Sequence, residues 1–239
     1  MDGFTYINIF DTKGVEYLVI IAFLILIIPY WRLLNKPLKA GIQIVPALKA
    51  ITAEALKIPQ GIYYSRNHTW AFMEKAGYAR VGLDDLLLHI TGQVELNNFR
   101  NTGEKVKRGD TIAAIEQNGT HLLIKSPISG EIQQVNSSLK SKTGVINEDP
   151  YGNGWLYKIK PESWTAETKS YFLSSEASLW FQTELLRFKD FLAVTLSKHS
   201  PQLAPVILQE GGELADHPLS GMSEEVWKDF QESFLDQIC

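Results

Sequence analysis

The chain has 239 residues, 45% of them hydrophobic, which is enough for one or two domains with a substantial core. Its formal net charge of −4 is not basic enough to point to nucleic-acid binding. The lone cysteine, Cys239, excludes an internal disulfide framework, an iron–sulfur cluster held by this chain alone and covalent c-type haem.

Residues 15–31, VEYLVIIAFLILIIPYW, form an apolar run whose only charge is Glu16. With Leu33 and Leu34 added, its helical length approaches a bilayer core of about 30 Å, and Tyr30 and Trp31 stand at its edge. Residues 15–34 are therefore expected to be a transmembrane helix in the lipid bilayer. Lys13 precedes the run, whereas Arg32, Lys36, Lys39 and Lys49 follow it. The positive-inside rule then puts a short stretch, 1–14, outside and the rest in the cytoplasm, as in a single-pass protein of the inner membrane. Glu16 reads as a carboxylate at headgroup level.

Residues 35–60 read as a juxtamembrane connector punctuated by Pro37, Pro46 and Pro59. Within it, ALKAITAEALK has the composition of a short helix, with Leu48, Ile51 and Leu56 as its apolar set.

Residues 61–163 change to short strands broken by glycine turns. Strands are predicted over 69–73, 78–82, 92–97, 111–117, 122–126, 130–136 and 155–159, with a short helix over 84–89 capped by Asp84. Asn118-Gly119 is the strongest of the turns, because both residues tolerate positive φ. The spacing predicts a mainly β fold, a small sandwich or flattened barrel.

Residues 164–239 return to helix. Leu179, Phe181, Leu185, Leu186, Phe188, Phe191 and Leu192 recur at helical spacing. Pro201, Pro205 and Gly211-Gly212 mark a loop. A last amphipathic helix follows, with Ser223 as cap and Val226, Trp227, Phe230, Phe234 and Leu235 on one side. These helices either pack on the sandwich or form a partner surface, for which Trp180, Phe181, Phe188, Trp227 and Phe230 are the candidates.

The β segment resembles the H protein of the glycine cleavage system, a lipoyl carrier. The likeness rests on IPQGIYYSRNHTWAFME, with Tyr64, His68 and Trp70, and on ARVGLDDLLLHITGQVELNNFRNTGEKVKRGDTIAAIE. It continues through SPISGEIQQVN and INEDPYGNGWLYKIKPES, and so covers about residues 58–163. It implies a lipoyl-type barrel-sandwich hybrid domain, to which the apolar helix and the helical C-terminal extension are additions. In that family the attachment turn reads Glu-Ser-Val-Lys-Ala. Aligned here without a gap, it falls on Glu116, Gln117, Asn118, Gly119 and Thr120, so the lysine position is Gly119. Lipoate is joined by an amide to a lysine amine, which glycine lacks. Lys125, the one lysine nearby, lies on the return strand rather than at the tip.

No metal-ligand spacing links His68, His89, His121, His199 and His217, and no phosphate loop, dinucleotide fingerprint or nucleophile elbow is present. Asp84-Asp85 reads as helix capping, His68 as a packing or hydrogen-bonding residue, and His121 as a surface residue beside the altered turn. The expected function is non-catalytic and free of cofactor: a membrane-anchored subunit that scaffolds other subunits of a membrane complex, a respiratory electron-transfer complex by analogy. Two alternatives stand beside it. One is a membrane-tethered component of glycine cleavage or a lipoyl relay. The other is a sensor that binds a ligand or a lipoylated partner.

Overall fold

A computed structural model describes residues 9–34, 50–141, 144–199 and 214–236. The chain divides into two compact units, Met1–Ala47 and Leu48–Cys239. Residues 1–8 of the expected 1–14 stretch, most of the connector (35–49), the Pro201–Gly212 loop signals and Cys239 lie outside the described residues.

The first unit contains one helix, α1 (Ile9–Leu34), six residues longer at its N-terminus than the apolar run predicts. Pro29 lies inside it, and the side chains of 17–31 are all exposed. Among the described residues, no helix is long and apolar enough to cross a membrane.

The second unit is mainly β. Its strands are β1 (Ala50–Ile51), β2 (Tyr63–Tyr64), β3 (Thr69–Met73), β4 (Ala79–Leu83), β5 (Glu95–Asn98), β6 (Lys105–Val106), β7 (Thr111–Gln117), β8 (Thr120–Lys125), β9 (Gly130–Val135), β10 (Tyr157–Pro161) and β11 (Leu214–Ala215). A six-stranded sheet runs β2-β3-β4-β10-β9-β6, and a three-stranded sheet runs β5-β7-β8. Every pairing is antiparallel. In β8, Thr120, Leu122 and Ile124 point inward while His121 and Leu123 point out, the two-residue period of a half-buried strand. In β7, by contrast, Ile112–Ile115 are all buried, so both of its faces are covered.

Helix α2 (Asp85–Thr91) starts where predicted, because the Asp84 carboxylate accepts the Leu87 N–H at 2.8 Å. It ends at Gly92, whose φ of 81° suits glycine and whose N–H returns to the Leu88 carbonyl. That cap explains why β5 starts at Glu95 and not at 92. The short helices α3 (Ser138–Ser141), α4 (Val145–Glu148) and α5 (Trp164–Thr168) fill the connections around β10.

The helix expected around residues 47–57 does not form over its described part. Ala50 and Ile51 instead pair with Ala215 and Leu214, and a turn follows. Ile51 and Leu56 are buried, so the apolar positions hold while the backbone follows its partner strand.

Helix α6 (Ser175–His199) and α7 (Glu224–Asp229), which runs on as a π-helical turn through Leu235, complete the unit. The proposed partner surface is in fact core. Trp180, Phe181, Phe188, Trp227 and Phe230 are all buried, the most exposed of them by 8%. Phe181 packs edge-on to Tyr64 at 5.0 Å, Phe188 edge-on to Phe230 at 5.7 Å, and Phe230 stacks on Phe234 at 4.9 Å. The small sandwich is covered by its own extension, which is why so many aromatic residues are needed. The exposed apolar residues of α6 are Leu179, Leu186 and Val194.

Candidate functional site: a carrier hairpin without its amine

The β7–β8 hairpin closes between Gln117 and Thr120. Asn118 and Gly119 have φ values of 50° and 86°, the two left-handed residues of a tight hairpin turn. Thr120 Oγ1 donates to the Gln117 carbonyl at 2.7 Å, and Gln117 Nε2 donates to the carbonyls of Thr91 and Gln93 at 2.9 and 2.7 Å. The turn is therefore held both within itself and against the end of α2. Asn118 and Gly119 are exposed, and a Cβ placed on Gly119 would meet nothing within 4 Å.

A cavity of about 250 Å³ lies beside the tip, lined by Gln93, Glu95, Glu116, Gln117, Asn118 and Gly119. Glu95, Glu116 and His121 stand in register across the three strands. The tip thus offers amides and carboxylates but no amine. Lys125 does not replace one. Its side chain is 23% exposed, and its Nζ lies 2.6 Å from Asp236 Oδ1, at the far end of β8 from the turn. Among the described residues, no group of histidine, cysteine, aspartate and glutamate is placed to hold a metal ion.

His68 has a larger role than its place in the sequence suggests. It is fully buried at a φ of 55°. Nδ1 lies 2.9 Å from Asp84 Oδ2, and Nε2 lies 3.5 Å from Glu184 Oε2 on α6. Its ring is stacked between Trp180 and Phe234, 5.2 and 5.5 Å away. Burial pulls the imidazole pKa down, but the Asp84 and Glu184 carboxylates outweigh it and raise it to about 9. Burial likewise works to raise the Glu184 carboxyl, but His68 and Arg187 hold it below the ordinary range. Arg187 bonds Glu184 through Nε at 2.8 Å and lies over the Phe234 ring at 3.7 Å.

His89 is held in a similar way. Nε2 is 3.5 Å from Asp85 and Nδ1 is 2.7 Å from Asp216, and the bond to Asp85, against the opposing effect of burial, leads in raising its pKa to about 9. Asp84-Asp85 does cap α2, but each aspartate also receives a histidine. Local reading of the sequence missed this second role, because Glu184 and Asp216 lie far along the chain. The one available signal was two adjacent aspartates where a cap needs only one.

The glycine cleavage H-protein family matches residues 62–182, running past the expected limit of 163 into α6. The probable glycine cleavage system H protein of Picrophilus torridus is 38% identical over 104 residues, 44% of this chain and 82% of that protein. The corresponding protein of Pyrococcus abyssi is 34% identical over 113 residues, 47% of this chain and 84% of that one. A crystal structure of the H protein from Mycobacterium marinum is 29% identical, covering 44% of this chain and 86% of that chain with a TM-score of 0.41. With the family match spanning half of its length and the relatives covered over more than four-fifths of theirs, the chain belongs to the glycine cleavage H-protein family.

Proposed function

We propose that this protein is a non-catalytic H-protein-like docking component of a glycine-cleavage or lipoyl-relay system that carries no lipoyl group on its own hairpin. The observation that supports this reading is the tip itself: an ordered, exposed turn in which glycine, at a φ of 86°, occupies the position aligned with the family's lysine. The hairpin keeps the form that a partner enzyme would recognise, without the amine that an acyl transfer to this chain requires.

The test is the intact mass of the protein after co-expression with a lipoyl ligase and lipoate, joined to a binding assay with the lipoylated and unlipoylated H protein and the enzymes of glycine cleavage. The wild type is expected to keep its unmodified mass and still bind one of those proteins. A lipoylated wild-type chain, or no binding to any of them, overturns the reading. Gly119→Lys is the informative variant. No side chain crowds that site, so its cost is backbone strain alone, about 1–2 kcal/mol in thermal or denaturant unfolding. Lipoylation of the variant locates the defect in that one residue.

A second reading is favoured by the exposed apolar side chains of 17–31. In it the protein is a single-pass inner-membrane subunit, N-terminus outside, supporting a respiratory electron-transfer complex. It predicts that the full chain sediments with membranes and resists carbonate extraction, whereas a chain lacking residues 1–35 is released. Release of the full chain by carbonate excludes an anchor.

A further inference from the structure

Asp84 and Asp85 stand side by side at the start of α2, and each faces a histidine of the family-matched segment, His68 and His89. On its other side each histidine meets a carboxylate from beyond residue 182: Glu184 on α6 for His68, and Asp216 just after β11 for His89. The extension added to the family domain is thus fastened to it at two places by the same device.

The charges facing each imidazole decide its state. Around His68 they are Asp84, Glu184 and Arg187, the last bound to Glu184, with the uncharged rings of Trp180 and Phe234 above and below. That buried group is neutral with His68 protonated and carries one unbalanced negative charge without the proton, a costly state away from water. Around His89 are Asp85 and Asp216, with His217 stacked at 6.3 Å. Lys57 adds its backbone N–H to Asp85, and its Nζ points to the Glu148 carbonyl. Asp216 Oδ1 also lies 3.5 Å from His217 Nδ1, so the two carboxylates there face two imidazoles, with His89 in contact with both carboxylates.

We infer that the C-terminal extension is a proton-dependent strap, held on the family domain by protonated His68 and His89 as twin clamps. The same extension covers the flank of the carrier hairpin. Gln231 Oε1 accepts the Leu123 N–H of edge strand β8 at 2.7 Å, and Asp236 holds Lys125. Loosening the clamps frees that edge without touching the tip.

The linkage has a definite sign. In the docked state the pKa of both histidines is raised from 6.5 to about 9, in part by Glu184 and Asp216, the two carboxylates that the extension supplies. Docking therefore weakens as pH rises through about 9, by the share of the rise that those two carboxylates contribute.

The experiment is hydrogen exchange of the full-length protein, corrected for intrinsic base catalysis, alongside NMR titration of the imidazoles assigned with His68→Gln and His89→Gln. Amides of α6 and α7, with the Leu123 N–H of β8, are expected to lose protection as pH rises toward 9 while those of β7 keep it, with both imidazoles titrating far above 6.5. Asp216→Asn, at the partly exposed clamp, is expected to lower the His89 pKa and make the loss of α6 and α7 protection with pH shallower. Imidazoles titrating near 6.5, a flat α6 response, or β7 opening together with α6 would each overturn the strap.

Discussion

Asp84→Ala is expected to destabilise the protein by about 4 kcal/mol. Two losses combine. The α2 N-terminus loses the carboxylate that accepts the Leu87 N–H, typically about 1 kcal/mol. The buried His68 loses its nearest counter-charge, and breaking a buried pair from one side costs about 3–5 kcal/mol. The two are not strictly additive, because one side chain makes both contacts. For a unit of this size the midpoint of thermal unfolding should fall by about 8–16 °C. Asp84→Asn separates the contributions, since the amide oxygen keeps the cap and only the charge is lost, so it should fall between the wild type and Asp84→Ala. Both variants should also show a shallower loss of stability from pH 6.5 to 9, because burial then opposes His68 protonation with only Glu184 against it. A steep wild-type slope retained in Asp84→Ala would exclude His68 as a source of the pH dependence.

Gly130→Ala is expected to be nearly as damaging for a purely steric reason. Gly130 begins β9, where it pairs with Pro161 on one side and Val106 on the other. A Cβ there would lie 2.2 Å from the Lys160 carbonyl oxygen and 2.7 Å from Ile159 Cγ2. A backbone oxygen cannot rotate away as a side chain does, so the strands must part and loosen their ladder. A cost of about 3 kcal/mol follows from overpacking with the loss of about one hydrogen bond. Gly119→Ala is the contrast, because open space surrounds that position and only the strain of its φ of 86°, about 1–2 kcal/mol, is added. Urea unfolding of the two variants measures the contrast. Equal midpoints would refute the steric account.

The parts of this structure legible in the sequence are those with local causes. Strands 69–73 and 111–117 are found with the expected bounds, each ended by turn residues of its own. Asp84 caps α2 as its side chain dictates. The hairpin turn follows from Asn118-Gly119 alone. What escaped depends on residues distant in the chain. Strand β1 exists only because β11, more than 160 residues later, pairs with it, while its own composition favours helix. The aromatic residues of α6 and α7 are recognisable as a face in need of cover. Whether that cover is the same chain or another is decided by packing, and here Tyr64 and His68 supply part of it. At the tip, the absence of the amine was legible from one aligned residue. The ion pair that occupies Lys125 was not, because Asp236 approaches from the final helical turn.

The β1–β11 pairing also sets a route for mechanical load. Any pull transmitted along residues 1–49 enters the second unit at Ala50 and Ile51, whose ladder partners are Ala215 and Leu214. Strand β11 is in turn anchored where the His217 and Leu219 N–H groups donate to the carbonyls of His89 and Ile90. Tension therefore falls first on a two-residue ladder and the end of α2, and the hairpin carrying Gly119 lies further along the chain, behind the six-stranded sheet's first strands. With only two paired residues, that ladder offers such a pull few hydrogen bonds to break.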